Sequence, residues 1–497
     1  MNPLLLLVTG ALVNALGTGM TAFGLGVHVY NTTGSATAVS LVQLCAFAPI
    51  VLLAPLAGVL ADRYDRRLMM ILGDGGSVLG LGLVYLAVTH GAGVEAVCAG
   101  VLLSSCLAAL TEPALRATVT DVVDPDDYVR ASGLLQLAAA ARYLLAPLAA
   151  GLLLEHIGLS GILLLDASTC LVTVALTTRV RALLGPVAAD ADPAGLLARL
   201  REGWRAVTAS SALRTVIGLM TVVTFAMGAV QTLLKPILLP LGSASAVGVC
   251  ETLAAVGLLI GSAAVTALSS APPARLLTQG LAGAGVAMTL LCLRPSMVWV
   301  AAVGLLMFAA LPLGNAGADA IVRIELPNAV QARAWGLISV LTQCGYLVAF
   351  TVLGPVADHL AEPALADGGA LAPSLGAIVG TGAGRGCAVV VSVLGLLMLA
   401  VAALTHHWRH RLTPVSQEAP AAPAPPAADG TDHPGTDGSD VDGTDHPGTD
   451  GSDVDGTDHP GTDGSDVDGA HNPEDASFAA ASARRDTPET DGGPSSC

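Results

Sequence analysis

Charged residues are scarce in this chain. They make up 12% of its 497 residues, about half of the roughly 25% usual in a soluble domain, which argues against a soluble enzyme. Aromatic residues contribute 3%, and Lys235 is the sole lysine. With no basic face to neutralise phosphates, nucleic-acid binding is excluded. Cysteines paired at metal-ligand spacing are missing too. Eight of the nine lie in or beside apolar runs, as small helix-packing residues do. No metal and no cofactor is expected. The net charge of −17 misleads until it is divided. Residues 406–497 hold 19 acidic and 4 basic side chains, net −15, which leaves only −2 on the 405-residue body.

What abounds is apolar: 53% hydrophobic residues, 57 glycines and a mean hydropathy of +0.68. A helix needs about 20 apolar residues to cross a hydrocarbon layer of roughly 30 Å. Such runs, broken by charges or Gly/Pro clusters, lie at 4–28, 37–60, 68–89, 94–115, 130–154 and 159–179. Six more lie at 213–236, 246–268, 276–293, 297–321, 334–357 and 386–405. They predict an all-α membrane protein with twelve spans, because backbone groups in lipid have no water to satisfy them. The first run lacks a charged start and is long for a signal peptide, so it is expected to stay. Fourteen loop arginines fall on the side shared by both ends of the body, against Lys235, Arg294 and Arg385 on the other. That asymmetry predicts cytoplasmic termini in a cell membrane.

The body repeats itself. RASGLL at 130–135 returns as RAWGLI at 333–338, an offset of 203 residues, and each copy opens the fifth span of a six-span half after a charged loop holding Pro125 or Pro327. The expected layout is a six-helix half at 1–180, a polar linker at 181–212, a second half at 213–405 and a disordered acidic tail at 406–497. The tail repeats DGTDHPGTDGSDV three times across 429–467 and has almost nothing to bury. Its aspartates do not make an EF-hand loop. With Asp440, Asp442 and Gly443 at positions 3, 5 and 6, Gly438 and Thr449 occupy the positions that need Asp and Glu.

Between spans 2 and 3 the chain reads GVLADRYDRRLMM, residues 58–70. This resembles the signature loop of the major facilitator superfamily, carried here by Gly58, Asp62, Arg63, Arg66 and Arg67. The resemblance implies two pseudo-symmetric halves that gate access to a central cavity. It places Asp62 at the positive start of span 11 and lets Arg66 reach Glu112 or Asp121 near the inner end of span 4. Asp65 departs from the usual glycine, and in the second half SSAPPARLL at 269–277 keeps only Arg275. NTTGSATAVSL at 31–41, VTDVVDPDDYVRASGLLQ at 119–136 and GGALAPSLGAIVGTGAGRG at 368–386 resemble the branch of drug:proton antiporters that holds macrolide and siderophore exporters. The antiporter pattern on span 5 is eroded. Gly133 and Pro147 remain, while Arg142 and Ala146 stand where glycines are expected.

Arg142 would lie near mid-membrane, where a charge costs at least about 2.5–3.5 kcal/mol and usually serves function. Either it works in transport or it pairs with a structural acid such as Asp166 or Asp74. Glu112 and Arg116 are one turn apart at the inner end of span 4, as Asp319 and Arg323 are on span 10. They either form a charge relay across the pseudo-twofold axis or cap their own helix ends. Glu112 and Asp319 are the candidate proton carriers, because a carboxylate in low dielectric can titrate near neutral pH. Asn14, Thr18, Gln231 and Asn315 sit on spans that line the cavity in this family, though each can simply bond to a neighbouring helix.

The expected function is proton-coupled efflux of a small amphipathic compound, with protons, substrate and the lipid bilayer as partners and a monomeric carrier. An importer or uniporter of the same fold is the alternative. A remote one is an intramembrane prenyltransferase built on Asp121, Asp124, Asp126 and Asp127, but its second Asp-rich loop is missing between 193 and 357.

Overall fold

The computed structural model describes residues 2–124, 127–185, 201, 204–205, 207–326 and 328–408. Most of the predicted linker, the acidic tail beyond residue 408, Pro125, Asp126 and Pro327 lie outside the described residues, and the last helix runs past the predicted boundary at 405 to His407. Every regular element described is helical, and eleven helices are long and apolar enough to cross a membrane.

Asn2 opens α1 (Pro3–Thr33) by accepting from Leu4 N at 3.0 Å, and Gly34 closes it at φ 63°. Helices α2 (Ala36–Arg63), α3 (Arg66–Thr89), α4 (Val94–Ala108) and α5 (Thr111–Val122) follow. The last two make one crossing, interrupted where the sequence suggested a continuous span. Pro113 accounts for the interruption. A proline ring clashes with the carbonyl four residues back, which is that of Ala109, and Leu110 N bonds instead to Leu107 O at 3.1 Å.

Helix α6 (Tyr128–Leu144) runs on into the first part of α7 (Ala146–Leu184), and the two together make the fifth crossing. At 39 residues, α7 would measure about 58 Å if straight, nearly twice the roughly 30 Å core. Gly158, at φ 63° and ψ 179°, breaks it. Such a dihedral pair is open only to glycine. Contacts with α1 show that the chain turns back there. Before Gly158, Ala146 lies beside Gly19. After it, Leu159 lies beside Gly24, Thr169 beside Gly17 and Thr173 beside Gly10. Eleven long helices therefore make the twelve expected crossings. Gly10, Gly17 and Gly24 recur every seven residues on one face of α1, and that stripe lets the two helices approach closely.

The C-terminal half comprises α8 (Ser211–Leu238), α9 (Ala244–Ala267), α10 (Pro273–Leu290), α11 (Met297–Glu325), α12 (Asn328–Val356) and α13 (Arg385–His407). Between the last two, Ala357–Ala361 winds as a π-turn, with Glu362 N bonded to Ala357 O. Two hydrophobic clusters draw their buried residues only from positions 4–180. A third joins the halves through Met20, Phe23, Val27, Ala146 and Ala150 on one side and Leu238, Val247, Cys250 and Val300 on the other.

Candidate functional site

The two ends of the bundle differ in what they tie together. At the end holding Arg66, the described ion pairs and side-chain hydrogen bonds stay within one half. Asp65 caps α3, accepting from Arg67 N at 3.0 Å, and also pairs with Arg181 Nε at 2.7 Å. The aspartate that replaces the family glycine thus fastens α3 to the end of α7. Arg67 is buried and donates to the Gly185 carbonyl. Arg66 reaches Asp121 at 2.6 Å, so of the two expected acids it meets the one at the very end of α5. Gly58 and Arg63 lie in the last turns of α2. Asp62 is in that helix as well, but its side chain lies outside the described residues. Across the sequence repeat, Ser210 donates to Glu325 at 2.6 Å.

At the opposite end, which holds Asp358, the halves are fastened to each other. Asp358 lies in the π-turn, and its carboxylate accepts from Ser35 Oγ at 2.6 Å, Thr37 N at 2.8 Å and Ala36 N at 2.9 Å. It therefore occupies the positive N-terminus of α2. Gly354 packs directly on Thr37 and Ser40. Deeper along the same seam, Phe47 of α2 meets Tyr346 and Phe350 of α12 at centroid distances of 5.0 and 5.9 Å. On the other flank Gly248 sits against the Pro147 carbonyl and Gly151 against Ala244. Glu362 plays a parallel part within the C-terminal half, accepting from Cys387 N at 2.8 Å and so capping α13.

Lys235 and Arg385 do not lie in loops, as the count of loop charges assumed. Lys235 is buried in α8, pairs with Glu251 of α9 at 2.9 Å and lies 5.4 Å from the centroid of Phe23 on α1. Arg385 is buried at the start of α13 and donates to the Cys292 and Val379 carbonyls. Of the three positive charges assigned to that end, only Arg294 remains in a connection. Sequence reasoning missed the Lys235–Glu251 pair because Glu251 falls inside an apolar run with no partner nearby in the chain.

The predicted charge relay is spread out. Glu112 pairs with Arg116 at 2.8 Å, and both side chains are mostly exposed, at 62% and 74%. Asn315, Asp319 and Arg323 form an exposed stripe of i, i+4 neighbours on α11, and Arg323 stacks 6.0 Å from the ring of Trp335. The expected meeting of Arg116 with Asp319 is replaced, for Arg116, by its own-helix partner. Asn14 is half-buried and accepts from Cys170 Sγ at 3.7 Å, which turns it toward α7. Thr18 and Gln231 are half-buried on α1 and α8.

Arg142 is exposed at the end of α6, beside Gly19 of α1 and within electrostatic reach of Asp166. Asp166 and Asp74 are the most deeply buried acids described, each 2% exposed. Thr111 Oγ1 donates to Asp74 Oδ1 at 2.9 Å, and Thr169 Oγ1 to Asp166 Oδ1 at 3.3 Å. Neither carboxylate forms an ion pair with a described residue.

Comparison with known proteins places this architecture. The family model described as Major Facilitator Superfamily matches residues 7–355. Macrolide efflux protein A of Streptococcus pyogenes is 27% identical over 244 residues, which span 47% of this chain and 58% of that protein. The chain thus covers little more than half the length of that relative. Among solved structures, a bacterial homologue of the human lysosomal transporter Spinster, inward-facing and unoccupied, aligns with a TM-score of 0.62 at 17% identity. That alignment covers 82% of this chain and 96% of the other. A nucleoside transporter, NupG, aligns at 0.65 and 12% identity over 81% and 100% of the two chains. At these identities the likeness is one of fold.

Proposed function

The chain belongs to the major facilitator superfamily, and on that premise we propose that it is a proton-coupled exporter of a small amphipathic compound of the macrolide type. The observation that carries this reading is the one-sided fastening of the halves. A carrier working by alternating access must close one end while the other is free. Here Asp358, Gly354, Phe47 and the Gly248–Pro147 contact join the halves at one end. The clip of Arg66, Asp121, Asp65 and Arg181 stays inside the N-terminal half at the other. The excess of arginine at the Arg66 end supports a cytoplasmic position for it, so the state described is closed toward the outside.

In this reading Asp62 and Arg66 of the clip lock the cytoplasmic end in the opposite state, with Asp62 set against the start of α12. Asp319, Arg323 and Asn315 form one polar face of the substrate path on α11. Export rather than import rests on the likeness to Macrolide efflux protein A. The departures at Arg142 and Ala146 favour the second reading, an importer or uniporter. Cells expressing the chain should accumulate less radiolabelled macrolide than cells carrying an empty vector, and a protonophore should abolish the difference. Equal accumulation in both would refute export of this class, and greater accumulation would support import.

A further inference from the structure

Two acids inside the N-terminal half have no part in the clip or in the seam between halves. Asp74 on α3 and Asp166 on α7 are each 2% exposed, and neither meets a cation at ion-pair distance among the described residues. Burying an ionised carboxylate without a partner costs several kcal/mol. Thr111 donates its hydroxyl to Asp74, and Thr169 divides its own between the backbone carbonyl and the carboxylate of Asp166, which offsets only part of that. The second oxygen of Asp74 is buried with no hydrogen-bond partner, and the buried hydroxyl of Thr21 stands beside the Asp166 carboxylate.

The helix contacts give the relative heights of the two acids. Gly75 faces Val174, so Asp74 lies level with that part of α7. Asp166 is about two turns away, roughly 12 Å along the axis at 1.5 Å per residue. Cys170 lies one turn from Asp166, is within electrostatic reach of both acids, and donates to Asn14. The charged and titratable groups facing this column are therefore Asp74 from α3, Asp166 and Cys170 from α7, and Arg142 from α6. From α1 and α5 come Asn14, Thr21 and Thr111.

We propose that Asp74 and Asp166 are two proton-binding stations, stacked through the N-terminal half and separated by Asn14 and Cys170. A proton fits better than a metal cation. Each carboxylate has only one or two hydroxyls beside it, far short of the shell of oxygens a dehydrated metal ion requires. The proton adds to the bare Oδ2 of Asp74 and to a carboxylate oxygen of Asp166 beside Thr21. Arg142, exposed at the end of α6 and within electrostatic reach of Asp166, opposes the proton on Asp166 by its charge and so promotes its release. The role of these stations in driving transport rests on the proton-coupled reading given above. Proton binding itself does not.

The test uses the purified full-length protein without substrate. The pH is stepped upward through neutrality and the protons released are counted with an indicator dye. Asp74→Asn and Asp166→Asn should each release one proton fewer per molecule than the parent, and the double variant two fewer. Both replacements keep the side-chain shape, and gel filtration checks that each variant is folded. If the double variant does not survive purification, the single variants carry the same comparison. Equal proton counts in parent and variants would overturn the proposal, as would release of bound radioactive sodium in place of protons. In vesicles loaded with radiolabelled macrolide, the variants should lose the response to a pH gradient and keep exchange at equal pH. A parent that ignores the gradient while the proton counts still differ would refute proton-coupled efflux and uphold the stations.

Discussion

Replacing Asp358 should release the outer seam. Its carboxylate accepts three hydrogen bonds at 2.6–2.9 Å from Ser35, Ala36 and Thr37. Bonds to a charged acceptor contribute about 1.5–3 kcal/mol each, but on opening water replaces most of them. What survives the exchange is chiefly the charge at the N-terminus of α2, worth up to about 2 kcal/mol in partly buried geometry. Asp358→Asn removes that charge and one acceptor while keeping the shape. A shift of about 2 kcal/mol changes the ratio of closed to open carriers about 30-fold. Spin labels at Thr32 and Leu360, both exposed at this end, would report it as a longer-distance population that grows in the variant. The same labels on Ser35→Ala should show a smaller change, since the two backbone donors remain. A distance distribution identical to the parent's for Asp358→Asn would refute the latch.

Three further outcomes are expected. Lys235→Met leaves Glu251 buried alone, which costs about 3–5 kcal/mol, so its melting temperature should fall well below the parent's. Lys235→Met combined with Glu251→Gln should recover most of the loss, and failure to recover would show that the lysine acts by packing on Phe23 instead. Gly280→Ala places a Cβ 2.3 Å from Gly314 N and 2.5 Å from its Cα. Separating α10 from α11 to make room should cost about 1–3 kcal/mol, whereas Gly133→Ala, with open space around it, should melt as the parent does. Truncation after Arg411 removes all 19 acidic residues of the tail and should leave membrane insertion and macrolide efflux unchanged in cells. Normal insertion with lost efflux would give the tail a function.

The crossings were legible because lipid imposes one simple rule, long apolar runs ended by charges, and the sequence obeys it at nearly every boundary. The break before α5 was legible in principle from Pro113, whose clash falls four residues upstream at Ala109. The turn at Gly158 lies in the short gap between the runs ending at 154 and starting at 159, although the helices on either side read as one 39-residue element. Side-chain partners across helices were a different matter. Arg66 was expected at one of two acids, and only the length of α5 decides for Asp121. Asp74 and Asp166 entered as partners for Arg142, since sequence alone does not reveal that Arg142 stops short of an ion pair. The Gly10, Gly17, Gly24 stripe was the available signal that α1 lies close against Asp166. Asp358 sits just past an apolar run, where an acid reads as a loop charge, and its meeting with residues more than 300 positions away has no local trace.

Alternating-access export driven by protons is tested most directly in vesicles. The purified protein is reconstituted with radiolabelled macrolide on one side, and its movement is followed with and without an imposed pH gradient. Macrolide should accumulate against its own gradient, on the side that protons leave, only when the pH gradient is present, and the accumulation should collapse when the gradient is dissipated. Movement that merely equalises the two sides at the same rate under both conditions would contradict proton-driven export.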